Sequence, residues 1–388
     1  MTGDAAVIVA ARRAPIGRIG GSLRHLDVAA LAAPVLQAVL ADARLTPTEV
    51  DDVILGNAAG PGGNPGRLAA LTAGFPVSTP GVTVDRQCGS GLEAITIAAR
   101  LIAAGAGDVY IAGGVESAST APWRLERPGS PYGAPRLYQR ARFAPDTIGD
   151  PEMGVAAENV ARQYGISRER QDRYALASHQ KAVQSQQEGR FAGEIVPMRG
   201  ADGAPVSVDE CPRGDTSFAA LASLPPVFVP GGTVTAGNAC PINDGAAAVV
   251  VVSERRFRKM RFAAGLRVID SAAAGVDPNL LGAGPIASTH KLFARLADRR
   301  LADVDVVEFN EAFAAQVLAC LDALEIPQDK VSIGGGAIAL GHPWGASGAI
   351  LVVRLFTELV RRPTDARTAL ATLGIAGGLG ISALFETA

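Results

Sequence analysis

Short apolar runs alternate with longer helix-like segments along this chain, and this alternation restricts its fold more than any other feature. Residues 5–10 and 53–56 have the Val, Ile and Ala content of buried strands, whereas residues 28–43 repeat their apolar side chains at helical spacing. A predicted helix from Gly89 to about Ala104 precedes a further strand at 108–114. Strands that alternate with helices of this length predict an α/β fold with parallel sheets covered on both faces.

The alternation is interrupted once and then repeated. Residues 118–241 are rich in Pro, Gly and aromatic residues and contain an amphipathic helix at 153–165. From Leu266 onwards the order of the first part returns, with a strand at 304–310 and a helix from Glu311. The sequence therefore predicts two duplicated halves and one insertion, which divide the chain into an N-terminal half (1–117 with 242–263), a loop domain (118–241) and a C-terminal half (264–388).

Charge and cysteine content exclude several classes of protein. The 388 residues carry 36 Lys and Arg against 38 Asp and Glu, and no basic stripe is formed, so nucleic acid and anionic membrane surfaces are not expected partners. Four scattered cysteines predict neither a disulfide framework nor a metal site, and they fit a reduced, cytoplasmic setting. The N-terminus lacks the features of a signal peptide, and the uncharged run at 369–385 is shorter than a membrane-spanning helix.

Cys88 is the first candidate for catalysis. It follows a strand and precedes a helix in the segment VDRQCGSGLEA, where a helix N-terminus stabilises a thiolate. That effect is about 0.3–1 kcal/mol, less than one pKa unit, so most of the thiol stays protonated and a catalytic Cys88 needs a base. From the local sequence alone, Cys88 is either a nucleophile or a buried cysteine that packs as a small apolar residue.

His342 supplies the candidate base. It lies in GGGAIALGHPWGASG, between a glycine-rich strand end and a helix, and Pro343 keeps it out of regular structure. The small residues around the imidazole predict that the side chain is accessible to a substrate. The alternative is a histidine in a turn that hydrogen-bonds to its own backbone. His25, His179 and His290 lie in polar or helical surroundings and are expected at the surface.

Asn310 ends the predicted strand at 304–310. Its position alone favours a helix cap, and the alternative is a side chain that holds a water molecule or donates to a developing oxyanion. The glycine-rich tail at 374–380 leads into a strand, whereas a dinucleotide-binding loop opens a helix. We therefore expect a close approach of two strands there, with free N–H groups that face a substrate.

Six motifs in this order resemble the thiolase family, and together they span the chain from the first strand to the last. They are RQCGSGLEA around Cys88, MGVAAENVA at 153–161, GTVTAGNACPINDGAAAV at 232–249, NEAFAAQ at 310–316, GGAIALGHPWGASG at 335–348, and the final GIAGGLG. The resemblance implies a five-layered αβαβα fold made of two similar halves, with a loop domain inserted in the first. It also implies a homodimer or homotetramer that acts on coenzyme A thioesters, with coenzyme A as substrate or product and no bound cofactor.

The resemblance also implies a role for each matching residue. Cys88 would be the nucleophile that takes the acyl group, and His342 would activate it. Asn310 would hold a water molecule that forms one oxyanion hole with His342, and the backbone N–H groups of Cys88 and Ala376 would form the other. Met153 and Phe313 would line the acyl pocket. Phe228 and Cys240 would contact the pantetheine arm of coenzyme A.

The chain departs from the family at one catalytic position. Thiolases carry a second cysteine in the tail motif, which removes or returns the α-proton of the second acetyl unit, and the aligned residue here is Gly374. General acid–base catalysis contributes about 10²–10⁴ in rate, so ordinary thiolysis and condensation should lose at least that much unless another group substitutes. Cys240 is the only other thiol expected near the pocket. Its position favours the interpretation that it is a small residue in contact with the substrate over the alternative that it replaces the missing acid–base group.

Three functions remain open at this point. The first is a thiolase-type acyl-CoA acyltransferase, which forms acyl-Cys88 and makes or cleaves a 3-oxoacyl-CoA, slowly or with another base. The second is a decarboxylating condensing enzyme similar to ketoacyl synthases, in which loss of carbon dioxide generates the carbanion. The third is a protein that binds coenzyme A thioesters without carbon–carbon chemistry. The retained Cys88, His342 and Asn310 argue against the third, and the thiolase forms of GHPWGASG and NEAF favour the first over the second.

Overall fold

The computed structural model describes residues 4–138 and 140–388. The elements before residue 118 are β1 Ala6–Arg13, β2 Gly17–Arg18, α1 Val28–Ala43, β3 Asp52–Gly56, α2 Pro65–Thr72, β4 Gly81–Val84, α3 Ser90–Ala103 and β5 Val109–Ser117. The chain continues with β6 Arg124–Glu126, β7 Arg136–Tyr138, α4 Met153–Gln163, α5 Arg168–Gln187, β8 Met198–Arg199, β9 Pro205–Val206, α6 Phe218–Ala222, β10 Asn243–Ser253 and α7 Glu254–Met260.

The last part of the chain has the same alternation of strands and helices. Its elements are β11 Leu266–Gly275, α8 Gly284–Phe293, β12 Val306–Phe309, α9 Ala314–Leu324, α10 Ala337–Leu340, α11 Trp344–Phe356, β13 Thr368–Ile375 and β14 Leu379–Thr387. Across the two described ranges, no helix combines the length and the apolar character that crossing a membrane requires.

Within the described residues, a ten-stranded sheet forms the centre of the fold, in the order β12-β13-β14-β11-β1-β10-β5-β3-β4, with β2 paired to β10. The pairs β3–β4, β3–β5 and β12–β13 are parallel, and the other pairs are antiparallel. The prediction of parallel sheets is therefore wrong for most of the strand pairs, and it holds for these three. A tight turn joins β13 to β14, and such a turn connects antiparallel strands. β10 enters the sheet only after the long segment 118–242, so it is not part of a short strand–helix–strand unit with parallel strands.

Two units of this sheet have the same strand order and the same strand directions. In β3-β5-β10-β1 and in β12-β13-β14-β11, the first pair is parallel and the next two pairs are antiparallel. A helix stands in the same place of each unit, α3 before β5 and α11 before β13. The predicted duplication therefore has a structural counterpart, and it gives Cys88 and His342 equivalent positions, since each lies just before one of these helices.

Three apolar clusters separate the layers of the fold. On β1, Ile8 belongs to the central cluster around α3 and α11, whereas Val7, on the opposite face, packs with α1 and α2. Val307 and Phe309 of β12 pack with α8 and α9 in the third cluster. The layers are thus α1 and α2, one half of the sheet, α3 and α11, the other half of the sheet, and α8 with α9. This order confirms the predicted αβαβα arrangement.

The two central helices lie close together because small residues line their contact. A Cβ atom on Gly91 of α3 would lie 2.8 Å from the amide nitrogen of Ala349 and from the carbonyl oxygen of Gly345 in α11. A Cβ atom on Gly348 would lie 2.5 Å from the amide nitrogen of Leu92. Since these contacts are to backbone atoms, larger side chains would push the helices apart. The close packing brings the N-terminal ends of α3 and α11 into one region.

Buried charges tie the segment between β5 and β10 to the rest of the molecule. Arg13 of β1 is fully buried, and its guanidinium lies 2.8 Å from the carboxylate of Glu194 and 2.7 Å from that of Asp209. Glu194 also lies 3.3 Å from the guanidinium of Arg354 in α11. Removing one partner of a buried ion pair costs about 3–5 kcal/mol, because it leaves an uncompensated charge. These pairs therefore hold the segment against β1 and α11.

Candidate active site

Cys88 ends a sharply turned segment between β4 and α3. Gln87 takes a left-handed backbone conformation with φ of 48°, and its N–H donates to the carboxylate of Asp85 at 2.8 Å. Ser90 closes the turn, because its hydroxyl accepts from the N–H of Arg86 at 2.9 Å and donates to the carbonyl oxygen of Gln87 at 2.5 Å. Left-handed residues other than glycine are uncommon and need such support. The side-chain contacts thus fix Cys88 at the N-terminal end of α3.

The sulfur atom of Cys88 lies at two backbone N–H groups. Its own N–H and that of Ala376, the residue after β13, lie close enough to the sulfur to lower the pKa of the thiol. Burial raises the pKa of the Cys88 thiol to about 12, against the lowering effect of these two N–H groups, and the carboxylates of Glu116 and Asp85 raise it further. Burial therefore outweighs the helix effect that the sequence predicts. Cys88 is a protonated thiol at neutral pH, and a base must remove its proton before it can act as a nucleophile.

His342 lies in the turn between α10 and α11 with one ring nitrogen free. The residue is 2% exposed, and its backbone N–H donates to Oδ1 of Asn243 at 2.9 Å. Nδ1 lies 2.6 Å from the hydroxyl oxygen of Ser347, whereas Nε2 has no hydrogen-bond partner among the described residues. Burial lowers the pKa of His342 to about 4, so the imidazole is neutral at pH 7. Nε2 can then accept a proton when Nδ1 donates its own to Ser347.

Glu116, a buried carboxylate near the end of β5, fixes the start of α11. Its Oε2 accepts from the N–H groups of Gly345 and Ala58, both at 3.0 Å, and its Oε1 accepts from Nδ2 of Asn57 at 3.0 Å. Burial raises the pKa of Glu116, and these backbone donors oppose that shift. A carboxylate at a helix N-terminus is electrostatically favourable. Glu116 therefore anchors the first turn of α11, three residues after His342.

Asn310 follows β12, and it is not a helix cap. Because α9 begins at Ala314, the predicted cap at Asn310 and the predicted helix start at Glu311 are both wrong. Residues 312–314 hydrogen-bond to residues 238–240 before the helix begins, and this non-local pairing delays the helix. Asn310 is 1% exposed, and its Nδ2 has no partner in the part of the chain that the structure describes. A buried donor without a protein partner is typical of a group that binds water or a ligand.

Three of the residues expected to contact the substrate lie next to one another. The ring of Phe228 covers Gly154 so closely that a Cβ atom there would lie 2.1 Å from the ring. Phe228 also meets Phe313 edge to face, with the ring centroids 6.2 Å apart. Met153 is the first residue of α4 and directly precedes Gly154. The structure thus brings Met153, Phe228 and Phe313 together, although they come from three distant segments.

Cys240 lies beside this group and close to Cys88. Its N–H donates to the carbonyl oxygen of Ala312 at 3.0 Å, next to Phe313 in the chain. Burial raises the pKa of the Cys240 thiol, and the proximity of Cys88 raises it further. The two thiols therefore belong to one site. A thiol whose pKa is raised by burial is a weak source of thiolate, so Cys240 does not have the properties of an activated base.

Gly374 lies on β13 opposite Gly380 of β14, where the two strands approach closely as expected for the tail. A Cβ atom on Gly374 would lie 2.4 Å from Nε2 of Gln316 and 3.5 Å from the carbonyl oxygen of Leu281. The amide of Gln316 thus occupies the space that a longer side chain at position 374 would enter. Ala376, two residues further on, supplies the N–H beside the Cys88 sulfur, so this end of β13 borders the site.

His179 is buried, contrary to the prediction of a surface position. It is 6% exposed, and its Nδ1 accepts a hydrogen bond from a backbone N–H at 3.2 Å. Burial lowers its pKa to about 4. Most residues of α5 are polar, so the sequence pattern does not show which face of this helix is covered.

The sequence did not identify three residues of this region, namely Ser347, Glu116 and Gln316. A hydroxyl five residues after His342 and a carboxylate inside the apolar strand Val109–Ser117 are signals that identify the first two. No local signal identifies Gln316, because its importance depends on the glycine that faces it. Over the two described ranges, no group of three or more His, Cys, Asp or Glu is arranged to hold a metal ion.

The comparison with known protein families covers nearly the whole chain. Residues 6–255 match the model of the thiolase N-terminal domain, and residues 263–387 match that of the thiolase C-terminal domain. The chain belongs to the thiolase family. The resemblance drawn from the six motifs is thereby confirmed.

Individual relatives of this thiolase match over nearly their full length. "Putative acetyl-CoA C-acetyltransferase VraB" of Staphylococcus aureus (strain MRSA252) is 45% identical over 382 residues, and the protein of that name in Staphylococcus epidermidis (strain ATCC 12228) is 45% identical over 384; in both cases 98% of each chain is covered. The crystal structure of Bacillus anthracis acetyl-CoA acetyltransferase superposes with a TM-score of 0.93 at 38% identity over 100% of both chains. Human mitochondrial 3-ketoacyl-CoA thiolase gives 0.90 at 35% identity over 99% of both chains.

Proposed function

We propose that this thiolase transfers an acyl group from a coenzyme A thioester through Cys88 and thereby makes or cleaves a 3-oxoacyl-CoA. The observation that carries the proposal is the position of the Cys88 sulfur at the start of α3, beside the backbone N–H groups of Cys88 and Ala376. The free Nε2 of His342, at the equivalent position of the other half, is the base that the protonated thiol requires. The names of the relatives, acetyl-CoA acetyltransferases and a 3-ketoacyl-CoA thiolase, support the same class of substrate.

The first half-reaction needs only groups that the chain retains. Nε2 of His342 accepts the thiol proton of Cys88, and the sulfur attacks the thioester carbonyl. The N–H groups of Cys88 and Ala376 donate to the oxygen on which negative charge develops, and one such donor is worth about 2.7–4 kcal/mol. His342 then returns the proton to the sulfur of coenzyme A as it leaves, and the acyl group stays on Cys88.

The second half-reaction has lost one group of the family pattern. Condensation requires removal of the α-proton of a second thioester, and Gly374 has no side chain that accepts it. The proposed role of Asn310, through its free Nδ2 and a water molecule, is to stabilise the enolate oxygen together with His342. We expect condensation and thiolysis that are slower than with a second cysteine unless another group takes the proton.

A decarboxylating condensing enzyme is the second candidate. The observation that favours it is the contact between Gly374 and the amide of Gln316, which leaves no thiol and no carboxylate at the second catalytic position. Loss of carbon dioxide from a malonyl thioester would generate the carbanion without a base. Initial rates with acetyl-CoA and with malonyl-CoA as the second substrate separate the two candidates, because only the second candidate prefers the malonyl thioester.

The experiment for the main proposal is mass analysis after incubation with acetyl-CoA. Acyl transfer predicts one added acetyl group on the wild-type chain and none on the Cys88→Ala variant. An unmodified wild-type chain would favour the third function, binding of coenzyme A thioesters without chemistry. The proposal further includes a homodimer or homotetramer, no cofactor besides the coenzyme A substrate, and a cytoplasmic location; light scattering of the purified protein measures the first of these.

A further inference from the structure

A small cavity lies next to Asn310, between β12 and α11. Its volume is about 20 Å³, and the polar part of its lining comes from Glu308, Asn310, Ser347 and Arg354, each at most 2% exposed. Glu308 and Asn310 are two residues apart at the end of β12, so their side chains share one face of the strand. A cavity needs about 10–15 Å³ to hold one water molecule. This cavity is therefore large enough for one.

Several buried polar atoms at this cavity lack a partner within residues 4–138 and 140–388. They are Oε1 of Glu308, Nδ2 of Asn310, and Nε and Nη2 of Arg354. Oε1 of Glu308 and Nε of Arg354 are 3.8 Å apart, which is too long for a hydrogen bond. Buried polar atoms are nearly always satisfied by protein or by ordered water. The cluster therefore has the chemistry of a site for one buried water molecule.

Ser347 connects this cavity to His342. Its side chain lines the cavity, and its hydroxyl oxygen lies 2.6 Å from Nδ1 of the imidazole. We propose that a proton relay runs from His342 through Ser347 and a water molecule in the cavity to Glu308, which accepts the proton. This relay lets His342 remove the α-proton of the second thioester, a step for which Gly374 has no side chain. The inference rests on the proposed acyl transfer through Cys88.

The relay balances over one condensation. Nε2 of His342 takes the α-proton of the second thioester, and the electron pair of the broken C–H bond forms the enolate that attacks acyl-Cys88. Nδ1 gives its proton to Ser347, the serine hydroxyl gives its proton to the water, and the water gives one to the carboxylate of Glu308. The carbon–carbon bond forms as the bond from the acyl carbon to sulfur breaks. The proton then returns along the same path to the Cys88 thiolate, so the resting state is restored.

Charged groups on several elements face Glu308 and set the pH at which it accepts a proton. Arg354 of α11 favours the carboxylate, whereas Glu358, Glu194 and Glu311 disfavour it. Burial is the largest effect, and it raises the pKa of Glu308 to about 8. The carboxyl group is mostly protonated below that pH and accepts a proton only above it. The relay therefore predicts that condensation becomes faster as the pH rises through about 8.

The test is the initial rate of acetoacetyl-CoA formation from acetyl-CoA by the intact protein, measured on both sides of pH 8. The rate of the wild type should rise with pH. The Glu308→Gln variant keeps the shape of the side chain but cannot accept the proton, so its rate should not rise, and above pH 8 it should be on the order of 10²-fold slower than the wild type. Glu308→Asp should recover part of the rise. Glu158→Gln is the matched control, because this buried carboxylate accepts from the N–H groups of Thr233 and Val234 instead and is not among the charges that face Glu308, and it should keep the rise.

Two further measurements make each outcome decisive. Acetylation of Cys88 is followed in every variant: a wild type that is never acetylated refutes the proposed function, whereas a Glu308→Gln variant that is acetylated and keeps the wild-type pH profile refutes the relay alone. If Glu308→Gln does not fold, infrared spectroscopy of the wild type decides. A carboxylic acid C=O band that disappears near pH 8 supports the relay, and a spectrum without such a titration overturns it.

Discussion

The hydroxyl oxygen of Ser347 lies 2.6 Å from Nδ1 of His342, and this contact leaves Nε2 as the ring nitrogen without a partner among the described residues. In the resting protein both groups are neutral, since the pKa of Cys88 is raised to about 12 and that of His342 is lowered to about 4. A stable thiolate–imidazolium pair is therefore not expected. Proton transfer should instead accompany attack on the thioester, when charge moves to the oxygen that the backbone N–H groups bind.

Substitution Ser347→Ala should slow acetylation of Cys88 by on the order of 10²-fold, because the imidazole loses the contact that fixes its orientation and tautomer. Stopped-flow or quenched-flow mass analysis measures this rate. Ser288→Ala is the control, since it removes another buried hydroxyl, bonded to Ser382, and should leave the rate unchanged. Equal rates in Ser347→Ala and the wild type would show that His342 is oriented by other contacts.

Substitution Gly374→Cys should raise thiolysis of acetoacetyl-CoA by about 10²–10⁴, because it returns a general acid–base group to the site. The new Cβ atom would lie 2.4 Å from Nε2 of Gln316, so the flexible end of that side chain must move. The double variant Gly374→Cys with Gln316→Ala should gain at least as much. Gly374→Ala adds a Cβ atom without a thiol and should give no gain. No gain in either cysteine variant would mean that position 374 is not the place of the second catalytic group.

Substitution Gly91→Ala should destabilise the fold by about 1–3 kcal/mol and slow acetylation of Cys88. The added methyl group meets backbone atoms of α11 at 2.8 Å, so the two central helices must separate. Urea unfolding gives the free energy, and Gly129→Ala is the control, because nothing lies within 4 Å of a Cβ atom at that exposed position. A Gly91→Ala variant with wild-type stability and acetylation would contradict the close packing of α3 and α11.

Stability should fall as the pH drops from 6.5 towards 4, in part because of His179. Its pKa is lowered from 6.5 to about 4 in the folded protein, so the unfolded chain binds a proton that the folded chain refuses in this window. Each such group contributes a slope of up to about 1.4 kcal/mol per pH unit. Urea unfolding of His179→Gln should show a shallower slope than the wild type, and the exposed His290→Gln should not. Identical slopes in all three proteins would contradict the burial of His179.

The positions of the two central helices follow from local sequence patterns. Each central helix is apolar and comes after a reactive residue at a turn, and this is visible in the motifs around Cys88 and His342 without any knowledge of long-range contacts. The αβαβα arrangement was predictable because the motifs identify the family. The roles of these residues, by contrast, remain predictions for the experiments above.

The features that sequence reasoning missed depend on contacts between distant segments. β10 pairs antiparallel with β1 and β5 after more than a hundred intervening residues, so the local alternation of strands and helices does not give its direction. Asn310 looks like a cap until residues 312–314 pair with 238–240. The burial of His179 depends on what packs against the polar helix α5, and the sequence of that helix does not contain this information.

The central claim, that the Cys88 sulfur receives an acyl group with His342 as the base, is tested most directly by locating the added mass. After incubation with acetyl-CoA, peptide mass analysis of the wild type should find one acetyl group on the peptide that contains Cys88 and none on the peptide that contains Cys240. The His342→Ala variant should form it at least 10²-fold more slowly. An acetyl group on Cys240 instead, or equal acetylation of Cys88 without His342, would contradict the claim.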